Sequence, residues 1–106
     1  MNQPAWLYLA ASIALEVAGT TSMKLSDGFS RLTPSVLIFV FYGLSFYAFT
    51  IALKKIDLSV AYAVWAGSGT ALVALIGMVW FNDSVTPLKL ACLGLVVVGV
   101  TGLNYA

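Results

Sequence analysis

Glu16 is the one acidic residue inside a long apolar run that extends from Pro4 to Met23. If that run crosses a bilayer, a charge near its middle costs about 2.5–3.5 kcal/mol on insertion scales. Such residues face a bundle interior or a wet cavity. A carboxylate removed from water must be neutralised, by a proton or by a bound cation. Glu16 is therefore a candidate exchange site for the two. The plainer alternative is a protonated side chain that makes one hydrogen bond between helices.

The neighbours of Glu16 suit a cavity. Ser12, Gly19 and Thr20 fall on its helical face at i±3 and i±4. They are small, and two carry hydroxyls. Small residues also serve close packing of membrane helices. In the next apolar run, Tyr42, Ser45, Phe46 and Phe49 form one stripe at i, i+3, i+4, i+7. That stripe could line a cavity for a flat or greasy cation, or it could simply pack. In the third run, Tyr62 and Trp65 share a face at i, i+3. Both lie inside the run, whereas Trp and Tyr usually mark membrane interfaces. A Trp face attracts organic cations, by about 0.5–2 kcal/mol. The Tyr62 hydroxyl is expected to hydrogen-bond Glu16. Gly67 and Gly69 permit a kink in this segment or a close helix contact. The fourth run offers Gly94, Gly99 and Gly102 among Leu and Val, the pattern of a packing seam between subunits. Cys92 there reads as a small buried hydrophobe.

Helices must hold these residues in place, and the composition says in what solvent. Of 106 residues, 61% are hydrophobic and 8% charged, against about 25% charged in a soluble domain. So short a chain has too little interior to hide that much apolar surface. Charged and turn residues divide it into four apolar segments, at about 4–23, 34–53, 58–81 and 87–105. Each is near the length of a helix that crosses a roughly 30 Å hydrocarbon core, where only helices or closed barrels satisfy their own backbone. The expected fold is all-α and integral to the membrane: one four-helix transmembrane domain over residues 1–106. Met1-Asn2-Gln3-Pro4 has no Lys or Arg, which argues against a cleaved signal peptide.

Several functions drop out. The net charge of +1 provides no basic surface for nucleic acid. With no histidine and one cysteine, neither an internal disulfide nor a metal site is expected, and no cofactor. No nucleophile–base pair is present, so an enzyme is not expected. Orientation is weakly specified. Lys24, Arg31 and Lys89 fall on one side, and Lys54 and Lys55 on the other. Positive residues set topology, so a near-even split suits insertion both ways up. An antiparallel pair would bring two Glu16 residues to one site, with equivalent openings on both sides.

Three stretches carry a family resemblance: Glu16-Val17-Ala18-Gly19-Thr20-Thr21-Ser22-Met23-Lys24, Ser26-Asp27-Gly28-Phe29-Ser30-Arg31, and Ala61-Tyr62-Ala63-Val64-Trp65-Ala66-Gly67-Ser68-Gly69. In register and over the whole length, they resemble the small multidrug resistance family. The resemblance implies an antiparallel, dual-topology dimer in the bacterial inner (cytoplasmic) membrane. It would export lipophilic or quaternary ammonium cations in exchange for protons. Glu16 of each subunit would bind proton or substrate, Tyr62 would be its hydrogen-bonding and gating partner, and Trp65 the aromatic wall. Thr20, Tyr42 and Ser45 match cavity-lining positions, and Gly67 and Gly69 the kink. Guanidinium exporters of the family carry a tryptophan three residues after the glutamate. Gly19 stands there in this chain, as in the quaternary-ammonium branch. Ala66 replaces a frequent serine, and Cys92 and Gly99 stand where the fourth helix often has two glycines. Ile56-Asp57-Leu58-Ser59 is similar to members that work as heterologous pairs, so a guanidinium or polyamine exporter is the second expectation. A non-transporting accessory subunit is the third.

Overall fold

A computed structural model describes residues 3–105; of Gln3 and Asn104 only the backbone is described. The chain forms four helices: α1 (Gln3–Leu25), α2 (Leu32–Ala52), α3 (Leu58–Trp80) and α4 (Pro87–Asn104). Local chemistry explains their ends. Lys24 lies in the last turn of α1, where a cation complements the carbonyl end of the helix. The helix thus runs past Met23. The loop after it turns through three consecutive left-handed residues, Asp27, Gly28 and Phe29. Pro34 falls in the first turn of α2, where its missing N–H costs nothing. That lets α2 begin before it. Thr86 caps α4 by accepting from Lys89 N at 3.1 Å, with Pro87 following it.

Helix α1 packs on α2 and α3, and α4 packs on α3. The resulting body measures 42 × 35 × 17 Å, and its thin dimension is less than two helix diameters of about 10 Å. A small core of Leu9, Ile13, Val17, Ala61 and Val64 fills the α1–α3 side. Large apolar side chains elsewhere face outward, among them Phe39 (71% exposed), Val79 (75%) and Val98 (68%). Water would not tolerate so broad an apolar surface, whereas lipid would. Helices α2 and α3 are long and apolar enough to cross a membrane. The polar residues of α1 turn inward instead, toward α2 and α3.

One polar clasp joins α1 to α2. Ser12 Oγ donates to the Ser45 carbonyl at 2.8 Å, and Ser45 Oγ donates to the Ser12 carbonyl at 2.7 Å. Both residues are fully buried. Expected as cavity-lining residues, they instead sit inside the helix contact, where each small side chain reaches the other backbone. Interhelical hydrogen bonds in membranes average about 0.6 kcal/mol. Ser45→Ala is expected to lower the unfolding free energy by roughly that amount up to about 2 kcal/mol, measured by denaturant titration in micelles. Cation binding should stay unchanged.

Helix α3 is continuous from Leu58 to Trp80, so Gly67 and Gly69 do not interrupt it. They serve close approach. A Cβ at Gly67 would collide with Val100 Cγ2 of α4, and one at Gly69 with Glu16 Oε1 of α1. By contrast, Cβ atoms at Gly94, Gly99 and Gly102 would meet nothing within 4 Å. Those three glycines lie exposed on α4. Cys92 is also exposed there rather than buried, because α4 touches the bundle through α3.

Candidate functional site

Glu16 projects from the middle of α1 toward α3, half-buried. Two hydroxyls lie near Oε2, and one of them donates to it. Thr20, one turn further along α1, donates from Oγ1 at 2.6 Å. Tyr42 of α2 approaches the same oxygen at 3.5 Å and also hydrogen-bonds the Thr20 hydroxyl. With Thr20 spending its proton on Glu16, the Tyr42 hydroxyl supplies the one that Thr20 accepts. A three-member chain results, Tyr42 to Thr20 to Glu16, with each bond polarising the next. The other carboxylate oxygen, Oε1, seats directly on Gly69 of α3.

The carboxylate opens onto a cavity of about 480 Å³ lined by Glu16, Thr20, Tyr42, Trp65, Gly69 and Val73, with Ala66, Thr70 and Ala74 completing its α3 wall. Most of the wall is apolar or aromatic and one carboxylate lies at its edge, which suits a greasy cation. The cavity is open to the side because the bundle is too thin to enclose it.

Beside it stands a cluster of three rings. Phe49 lies 5.2 Å from Trp65 and 6.5 Å from Tyr62, and Tyr62 lies 5.8 Å from Trp65, between centroids. Separations of this order are the normal range for attractive aromatic pairs. Trp65 belongs to both cluster and cavity. Its Nε1 is buried and has no hydrogen-bond partner among the described residues. An orphan buried donor costs about 1–3 kcal/mol.

The expected site residues thus divide. Glu16, Thr20, Tyr42 and Trp65 come together around one cavity. Phe49 backs Trp65 from behind. Phe46 is 55% exposed and touches the site only through its ring contact with Tyr42 at 5.9 Å. Tyr62 is 56% exposed on the rim of the aromatic cluster. Among the described residues its hydroxyl does not reach Glu16, and Tyr42 takes the place expected for it. The two tyrosines lie on different helices, and spacing along one helix says nothing of how a neighbouring helix is rotated. Thr70, Val73 and Ala74 went unnoticed in the sequence. The signal available was their i+1, i+4 and i+5 offset from Gly69.

Gly19 explains how Tyr42 gets so close. A Cβ at Gly19 would lie 2.8 Å from both Cδ2 and Cε2 of the Tyr42 ring, which is inside van der Waals contact. The bare backbone at Gly19 therefore seats the ring that reaches Glu16. Gly19→Trp is expected to expel Tyr42, break its hydrogen bond to Thr20 and lower affinity for tetraphenylphosphonium by up to about tenfold, the scale of one lost neutral hydrogen bond. Gly19→Ala should produce a smaller loss in the same direction. Isothermal titration checks both, and unaltered affinity in Gly19→Trp would refute the role.

Comparison with known proteins points the same way. Residues 4–96 match the family described as Small Multidrug Resistance protein. The membrane protein YvaE of Bacillus subtilis is 48% identical over 93% of this chain and 83% of its own length. The quaternary ammonium compound-resistance protein QacF of Klebsiella aerogenes is 46% identical, over 93% and 90%. The multidrug resistance protein EbrA of Bacillus licheniformis is 40% identical, over 95% and 96%. With the match covering most of its length and a membrane-type exterior around an inward-facing glutamate, the chain belongs to the small multidrug resistance family.

Proposed function

We propose that the protein exports lipophilic and quaternary ammonium cations across the bacterial cytoplasmic membrane in exchange for protons. The observation that carries this reading is Glu16 beside an open, largely apolar cavity walled by Trp65 and Tyr42. A protonated Glu16 has no charge to hold a cation, and a Glu16 that holds a cation has no need of a proton. Competition for one group then couples the two fluxes. Tyr42 and Thr20 fix the position of Oε2 in the charged state and need not move when a cation arrives. Trp65 presents its ring to the cation, worth about 0.5–2 kcal/mol. The names of QacF and EbrA support the same substrate class.

All four helices span the bilayer in this reading, and the functional unit is an antiparallel dimer. Two features support a second copy. The thin body leaves the Glu16 cavity open. The α4 glycines face outward with room for a close neighbour. Tyr62, exposed on the rim, is placed to act on the far half of a cavity shared between two subunits, as gate and hydrogen-bond donor. Exchange of conformations between the two orientations would expose the site alternately to each side.

Proteoliposomes with an imposed proton gradient test this. Uptake of tetraphenylphosphonium is expected, with little uptake of guanidinium. Guanidinium uptake alone would replace the substrate class, and no uptake of either cation by the protein on its own would defeat the reading for a homodimer.

A further inference from the structure

Thr20 and Val73 line the Glu16 cavity and also a second one, of about 200 Å³, toward the α1 carboxyl terminus. Glu16, Thr20 and Lys24 follow one another on α1 at i, i+4 and i+8. Gly69, Val73 and Gly77 do the same on α3. The two rows face each other, since Glu16 sits on Gly69 and the cavities lie between them. Lys24 is therefore about 12 Å along α1 from Glu16. It lines the second cavity together with Asp83.

Asp83 reaches this level from the α3–α4 loop. Asn82 takes a left-handed conformation (φ 58°) and turns the chain back. Asp83 N then donates to the Gly77 carbonyl at 2.9 Å. The carboxylate lies over Gly77 so closely that a Cβ there would collide with Oδ2. Lys89, the other cation near this loop, is engaged with the Ser84 carbonyl at 2.6 Å. Lys24 and Asp83 are both exposed, Thr20 is half-buried and Gly77 buried. Along α1, exposure thus rises from Glu16 and Thr20 to Lys24.

We propose that this second cavity is a cation passage to Glu16, and that Asp83 keeps it open to cations by offsetting the charge of Lys24 at its mouth. The inference rests on the antiporter reading and names residues of its path. A lone lysine beside a narrow, low-dielectric passage repels an approaching cation. An opposite charge lining the same cavity offsets part of that field. The Debye length is about 8 Å in physiological salt, so a bound cation about 12 Å away feels little of either charge. The pair acts on passage rather than on the bound state. A barrier at the mouth slows arrival and departure alike and leaves the dissociation constant unchanged.

Stopped-flow quenching of tryptophan fluorescence by tetraphenylphosphonium, in purified protein, reads both rates. Asp83→Asn keeps the backbone bond to Gly77 and the side-chain size. It is expected to lower association and dissociation by on the order of tenfold each, the low end of electrostatic steering, at unchanged affinity. Lys24→Gln in the Asp83→Asn background should restore both rates, and 1 M salt should narrow the difference. Unaltered rates in Asp83→Asn, or a slowing that Lys24→Gln does not relieve, would overturn the charged mouth. Wild-type protein that binds no tetraphenylphosphonium would instead fail the antiporter reading itself.

Discussion

Glu16→Gln is expected to reduce proton-driven cation uptake to the level of empty liposomes. The substitution is nearly isosteric. Its amide oxygen can still accept from Thr20, as Oε2 does at 2.6 Å, so the α1–α2–α3 packing stays in place. What disappears is the charge. Removing one member of a desolvated ion pair costs about 3–5 kcal/mol, or roughly 10² to 4 × 10³ in affinity. Tetraphenylphosphonium binding should fall by at least the lower figure. The proton cycle ends as well, because an amide does not exchange a proton for a cation. Thermal stability should hold or rise, since a half-buried charge has been removed. Uptake above background by this variant would remove Glu16 from the mechanism, whatever its position in the cavity.

Gly69→Ala separates folding from function. The added Cβ overlaps Glu16 Oε1, the far end of a flexible side chain that can swing away at little energetic cost. Ala is also a better helix former than Gly by about 1 kcal/mol, which offsets any local strain. The protein should therefore fold with nearly unchanged stability. The carboxylate, though, must leave its seat, and with it the geometry set by Thr20 and Tyr42. Misplacement of a reacting group by about 1 Å can cost on the order of a hundredfold, and a loss in uptake rate of tenfold or more is expected here. Paired measurements of melting temperature and uptake in the same preparation check it. Normal uptake would mean that Glu16 does not use the Gly69 seat during transport.

Gly69 and Gly67 also show why glycine is hard to interpret from sequence. The two residues sit two apart in a helix and allow a kink, a hinge or a contact. Here each admits a different neighbour, Glu16 at Gly69 and Val100 at Gly67, and the helix is continuous through both. The α4 glycines, alike in sequence, have nothing against them within the chain. Only the neighbour distinguishes these uses.

What the sequence determined by itself follows from solvent and from position along one chain. Long apolar runs between charged turns have one good solution in an apolar medium, a helix with its own hydrogen bonds satisfied. Four helices were legible for that reason. Glu16 stood out as the centre of the candidate site because a carboxylate inside such a run has few other uses. Thr20 followed from i+4 spacing. The tertiary structure decided whatever depends on how the helices are rotated and set against one another. It brought Tyr42 rather than Tyr62 to Glu16, because bare Gly19 lets that ring approach α1. It closed Ser12 and Ser45 into a clasp, because their small side chains meet where α1 and α2 touch. It laid Asp83 over Gly77, through a left-handed turn at Asn82 that spacing does not reveal. Periodicity fixes which residues share a face of one helix; packing alone fixes which faces meet.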